Sequence, residues 1–171
     1  RRKITAGTGV SPSGKETDDG MMQEYFAEEG FRGFMRGVVE PYLKKYQKKG
    51  YFNSFDGAPL FYYTYCQADA KAALVISHGF CEFAEKYQEL IYYFLQEGYS
   101  VYLLEHRGHG YSKRETGDVQ KVHITHFEDY IRDFACFMEH IVGDREETKV
   151  LFAHSMGGAI AVRYLEEYPD V

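Results

Sequence analysis

The stretch VLFAHSMGGAIAVRYLEEYPDV, Val150 to Val171, decides how the chain is read. An apolar run leads to one serine, Ser155, and then to Gly157 and Gly158. KVLFAHS reads as a buried strand, and MGGAIAVRYLEEY as a helix ended by Pro169. Ser155 therefore stands at a strand-to-helix junction. Its neighbours two positions away, Ala153 and Gly157, are both small. A sharp turn that brings two backbones together needs small residues there, and it lifts the serine oxygen above the sheet at the positive end of a helix. The common pattern is G-x-S-x-G; Ala153 replaces the first glycine, a difference of one methyl group. The plain alternative is a serine that only caps a helix.

The same alternation runs upstream. AALVISHG is a continuous apolar strand with a glycine exit. EKYQELIYYFLQEG places Tyr87, Leu90, Ile91, Phe94 and Leu95 on one helical face, with Gly98 as its C-terminal cap. YSVYLLEHRGHG is a second strand. THFEDYIRDFACFMEHIV is a second helix, with Thr125 and Glu128 at capping-box spacing. Strand and helix alternate three times, the mark of a mostly parallel sheet with helices on both faces and right-handed crossovers. Upstream, YFNSFDGAPLFYYTYC reads as a hairpin over about Tyr51–Cys66 around a DGAP turn. Met22 to Lys49 reads as helical, kinked or split at Pro41.

In open parallel sheets, ligands bind beyond the carboxyl ends of the strands. That singles out SHGFCE, EHRGHGYS and FAHSMGG. Acyl transfer on a serine needs N–H donors for the oxyanion of the tetrahedral intermediate. In this architecture one donor follows the nucleophile, here Met156. The other lies after an earlier strand, here Phe80 beside Gly79.

Together VISHGFCEFAEKY, YLLEHRGHGYS and FAHSMGGAIA, in this order and spacing, resemble the monoglyceride lipase and lysophospholipase family of α/β-hydrolases, which includes serine aminopeptidase-like members. The resemblance runs from about Tyr51 to the end. It implies an α/β-hydrolase fold with Ser155 as nucleophile and Phe80 and Met156 as oxyanion donors. Glu82, Tyr87, Arg107, Gly108, Gly110 and Ser112 match positions that the family uses to hold the active-site loops. The implied substrate is a small ester or lipid, a monoacylglycerol or lysophospholipid. A peptidase or thioesterase of the same fold, or a non-catalytic binding module, stays open.

A serine nucleophile also needs a histidine base and a carboxylate, which in this fold follow it in the order acid, then histidine. After Ser155 come only Glu166, Glu167 and Asp170, and no histidine. The triad Asp and His are thus expected outside these residues, and so are the cap and the C-terminal strands. The chain reads as the N-terminal part of an α/β-hydrolase domain over 51–171, with little activity alone. The sheet is expected to be left with a central strand exposed as an edge, an aggregation hazard.

The remaining features exclude more than they assign. No cofactor is expected. The pairs His106/His109 and His123/His126 lack the carboxylate or cysteine cluster that a metal site needs. His78 and His154 read as structural, and Cys81 as incidental. Of 171 residues, 44% are hydrophobic and 27% charged, as in a soluble globular domain. The net charge of −6 argues against nucleic acid. No run approaches the ~20 apolar residues that cross a bilayer. Three scattered cysteines fit a reducing compartment. The expected location is the cytoplasm, with peripheral membrane contact and oligomeric state left open. GVSPSGKE, Gly9 to Glu16, imitates a phosphate loop but has Glu16 where Ser or Thr is required. Residues 1–20 are expected to be a disordered extension of cloning or gene-calling origin, and 21–50 a helical segment.

Overall fold

The computed structural model describes residues 30–143 and 148–169. The expected disordered extension, GVSPSGKE within it, and the first part of the N-terminal helix lie outside the described residues. The described chain opens with α1 (Phe31–Phe34), a π-helical turn (Met35–Val39) and α2 (Glu40–Lys44). Pro41 sits in the first turn of α2. It has no N–H for the carbonyl four residues back, Gly37, and the wider turn spans that residue.

The helix does not continue to Lys49. It ends at Lys44, and strand β1 (Gln47–Asn53) follows almost at once. β1 pairs antiparallel with β2 (Pro59–Tyr65), from Gln47 opposite Tyr65 to Asn53 opposite Pro59. Seven cross-strand pairs outweigh the weak helical preference of the lysines, so the hairpin starts four residues before the Tyr51 expected from sequence. Gly57 supplies the left-handed φ of 82° in the turn, and Asp56 Oδ1 accepts the Ala58 N–H at 3.0 Å.

Three further strands follow: β3 (Ala73–Ser77), β4 (Ser100–Leu104) and β5 (Lys149–Ala153). The sheet order is β1-β2-β4-β3-β5. β3 lies parallel between β4 and β5, and the hairpin extends the sheet with antiparallel pairs. β5 is one edge, where Val150 is 40% exposed.

Helices cover both faces. α3 (Gln88–Gln96) and the N-terminal helices pack on Leu74, Ile76, Val101 and Leu103. α4 (Glu128–Phe137) and α5 (Met156–Glu167) pack on Ala73, Val75, Tyr102 and Leu104. Alternate residues of each strand thus serve opposite cores, which explains why these strands read as unbroken apolar runs. Aromatic edges fill the space: Phe34 and Tyr42 against Tyr92 on one face, Phe134 against Tyr164 on the other. α3 ends as its sequence requires, with Gly98 at φ 83° and the Tyr99 N–H reaching back to Phe94 O.

The capping box at Thr125 is not formed. α4 begins at Glu128 without a side-chain cap, and both the Thr125 N–H and hydroxyl donate to the Glu115 carboxylate, at 2.8 and 2.7 Å. An ionised acceptor that takes both donors wins over a single cap bond.

Candidate active site

Ser155 stands between β5 and α5 with φ 52° and ψ −119°. This conformation costs a serine about 1–3 kcal/mol and must be held by its surroundings. The His154 N–H donates to Ser77 O at 3.1 Å, and the Gly157 and Gly158 N–H groups close the first turn onto His154 O and Ser155 O. Ser155 makes no side-chain cap bond, so the helix-capping alternative does not describe it. A Cβ on Gly157 would lie 2.0 Å from Ser77 O and 2.6 Å from His78 O. The small residue at this position is what lets α5 start against the end of β3.

The loop after β3 meets the elbow. A Cβ on Gly79 would lie 2.8 Å from His154 Nδ1 and 3.3 Å from Ser155 Cβ. Three consecutive backbone N–H groups point different ways here. The Gly79 N–H donates to Glu82 Oε2 at 2.8 Å, and the Cys81 N–H to His109 Nε2 at 3.1 Å. Between them, the Phe80 N–H has no partner among the described residues, and neither has the Met156 N–H at the start of α5. Phe80 and Met156, the residues expected to supply oxyanion donors, thus each carry an N–H without a partner among the described residues, in the turns beside Ser155.

Glu82 also accepts the Tyr87 hydroxyl and pairs with His154 Nδ1 at 3.1 Å. Burial works to raise its carboxyl, but these hydrogen bonds outweigh it and hold the group at about 2. His154, read as structural from the sequence, is thus tied to a loop distant in the chain.

The loop after β4 is a stack of buried polar groups. The His106 N–H donates to His78 Nε2 at 3.0 Å, so the His78 proton sits on Nδ1 and faces Gly79 O at 2.8 Å. His106 Nε2 lies 2.9 Å from Ser77 Oγ. The Ser112 hydroxyl donates to Glu105 O and accepts the Phe61 N–H. Gly108 and Gly110 take left-handed φ values of 81° and 47°. Arg107 is held by two carboxylates: Nε and Nη2 donate to Asp133 at 2.9 and 2.7 Å, and Nη1 and Nη2 to Asp56 at 2.7 and 3.1 Å. The guanidinium beside Asp56 lowers that carboxyl to about 2. This clamp joins the hairpin turn, the β4 loop and α4.

Sequence reading missed Glu105, Asp56 and Asp133. Glu105 is fully buried and accepts the Ala84 and Tyr111 N–H groups, which links the two loops; burial raises its carboxyl. The available signals were a charge that ends an apolar strand and an acid on the apolar face of α4. His106 and His109 point into this network. Among the described residues, no group of three or more His, Cys, Asp or Glu could hold a metal ion. Glu166 and Glu167 pair with Arg163 at 2.7 Å on the exposed side of α5, away from the elbow.

These buried histidines carry a consequence for stability. His78, His106 and His109 are at most 2% exposed. Burial lowers His78 to about 4, His109 below its ordinary value and His106 well below it. The unfolded chain takes up protons on them near pH 6.5, and the folded chain does so only at lower pH. Their contribution is therefore full above about pH 6.5 and is lost as the pH falls toward 4. His78, held near 4, by itself removes about 1 kcal/mol between pH 6.5 and 5.5, and His106 and His109 act in the same direction. Glu105 and Asp133, whose carboxyls burial raises, oppose the loss above their ordinary range, where the folded chain protonates first, and below about pH 4.5 the ionised Glu82 adds to the loss. Urea-unfolding midpoints should fall across the histidine window; a midpoint unchanged from about pH 7.5 to 5.5 contradicts this reading.

Residues 68–171 match the family described as serine aminopeptidase, S33 (Hydrolase_4). The chain belongs to this family. A relative is lysophospholipase L2 of Escherichia coli (strain K12), 31% identical over 145 residues, which are 84% of this chain and 42% of that protein. Another is the monoacylglycerol lipase of Mycolicibacterium smegmatis, 32% identical over 102 residues, 59% of this chain and 35% of that one. An α/β hydrolase from Novosphingobium aromaticivorans superposes with a TM-score of 0.56 at 19% identity, over 72% of this chain and 41% of that chain. The fold is that of the α/β-hydrolases, here its N-terminal part. The chain spans about two fifths of the length of these proteins. None of its described helices is long and apolar enough to cross a membrane.

Proposed function

We propose that this member of the serine aminopeptidase, S33 family is the nucleophile-bearing part of a serine hydrolase that cleaves carboxylic esters of lipids. The observation that carries the proposal is the Ser155 elbow, with two unpartnered N–H groups, of Phe80 and Met156, in the adjoining turns. Ser155 Oγ attacks the ester carbonyl as a base takes its proton. The carbonyl oxygen becomes an oxyanion, which the Phe80 and Met156 N–H groups receive. Collapse expels the alcohol and leaves an acyl-enzyme on Ser155, and water then releases the fatty acid. The base and its carboxylate belong to the portion of the family fold that this chain does not span, so the 171 residues alone should turn over little. The three free cysteines support a reducing, cytoplasmic setting.

Lipid esters are preferred because the relatives are a lysophospholipase and a monoacylglycerol lipase. The family description favours a second reading, peptide-bond cleavage. A panel of a monoacylglycerol, a lysophospholipid and an aminoacyl anilide, given to the full-length protein, separates them. Release of fatty acid from either lipid, and little aniline, is expected. Anilide cleavage with inert lipids would select the peptidase.

A further inference from the structure

We propose that His109 is a positioning residue, a latch that sets the direction of the Phe80 N–H from the neighbouring loop. The inference rests on the oxyanion role proposed for Phe80. Cys81, the next residue, is a non-glycine residue with φ 57°, a conformation that needs outside support. The support comes from His109 Nε2, which accepts the Cys81 N–H at 3.1 Å. A backbone N–H can only donate, so Nε2 carries no proton. The proton sits on Nδ1, which faces Arg107 O at 3.0 Å.

The post itself is rigid. The His109 N–H donates to His106 O, and the Ser112 N–H to His109 O, both at 2.9 Å. The imidazole is packed edge-on against the Phe80 ring at 5.8 Å and the His78 ring at 5.0 Å. It thus holds both the ring of Phe80 and the peptide after it. On the other side, Glu82 holds the Gly79 N–H. The two flanking groups are fixed, and the middle N–H is the one left to face a developing charge. None of this needs His109 to touch substrate.

The test uses two variants of similar size and polarity in the full-length protein. In His109→Gln the amide oxygen reaches the place of Nε2 and can accept the Cys81 N–H. In His109→Asn the amide reaches only the place of Nδ1. Loss of one oxyanion donor costs about 10²–10³-fold in kcat, so a misdirected donor in the Asn variant should cost about 30-fold or more with KM little changed. The Gln variant should stay within about fivefold of the parent. Phosphonylation of Ser155 by a fluorophosphonate should slow in the same order, because the phosphoryl oxygen occupies the same hole. Amide exchange at Cys81 reads the latch itself: protected in the parent and Gln proteins, unprotected in Asn.

Equal kcat in the Gln and Asn variants overturns the latch. So does loss of Cys81 protection in the Asn variant without loss of rate. A protected Cys81 in a protein whose Ser155 is never labelled instead overturns the nucleophile assignment and leaves the His109–Cys81 bond standing.

Discussion

Replacing Ser155 with alanine in the full-length protein is expected to abolish ester hydrolysis while leaving the fold intact. Ser155 is exposed at the elbow, and its hydroxyl makes no cap bond. Its removal therefore costs little packing. Catalysis loses its attacking atom, and without the serine the relay has nothing to activate. In a hydrolase of this type such a loss is on the order of 10⁶-fold in kcat. A residual rate above water is expected, because the Phe80 and Met156 N–H groups still polarise a bound carbonyl. The readout is initial rate against a monoacylglycerol, with circular dichroism and urea unfolding matched to the parent. Alanine at this strained position also needs φ near 52°, so the parent and variant should differ only slightly in stability.

The largest structural effect is expected two residues on. Gly157→Ala places a methyl group 2.0 Å from the Ser77 carbonyl oxygen. That atom is backbone at the end of the interior strand β3, and it already accepts the His154 N–H. Neither partner can swing aside as a side-chain tip could. Relief requires α5 to lift from β3, which opens the core around Ile160 and Tyr164. A loss beyond about 4 kcal/mol is expected, a large part of a domain's 5–15 kcal/mol. Gly158→Ala is the matched control. No atom lies within 4 Å of its added carbon, so the better helix former should be neutral or stabilising by up to about 1 kcal/mol. Soluble expression and thermal unfolding of the pair give the comparison. Equal stability of the two variants would mean that the elbow does not pack as described.

The contrast between these neighbours shows how far sequence reading reached. A serine between an apolar run and two glycines, at the end of the third strand–helix alternation, was enough to place the elbow. It was enough because small residues flank Ser155 for a local steric reason. The close approach of the Gly79 turn to Ser155 was legible for the same kind of reason. Glu82, Tyr87 and Arg107 were expected from family resemblance to hold the loops, but the bonds that they make were not. Asp56, Glu105 and Asp133 meet the loops through tertiary contacts of 21 to 51 residues' separation, and no local pattern encodes those. The start of β1 was misplaced because lysines at its beginning favour a helix only weakly, and pairing with β2 decides the matter. Thr125 lost its cap to a carboxylate ten residues away. His109 was weighed as half of a metal pair; its actual partner, a backbone N–H in another loop, carries no sequence signal at all.

Ser155 is proposed as the nucleophile, and covalent capture is the decisive experiment for it. The full-length protein is treated with a fluorophosphonate, digested, and its peptides sequenced by mass spectrometry. One stoichiometric phosphonyl adduct is expected, on Ser155, in the peptide that carries AHSMGG, and none in the Ser155→Ala protein. An active enzyme that remains unlabelled at Ser155, or that is labelled on another residue and keeps its rate in Ser155→Ala, would contradict it.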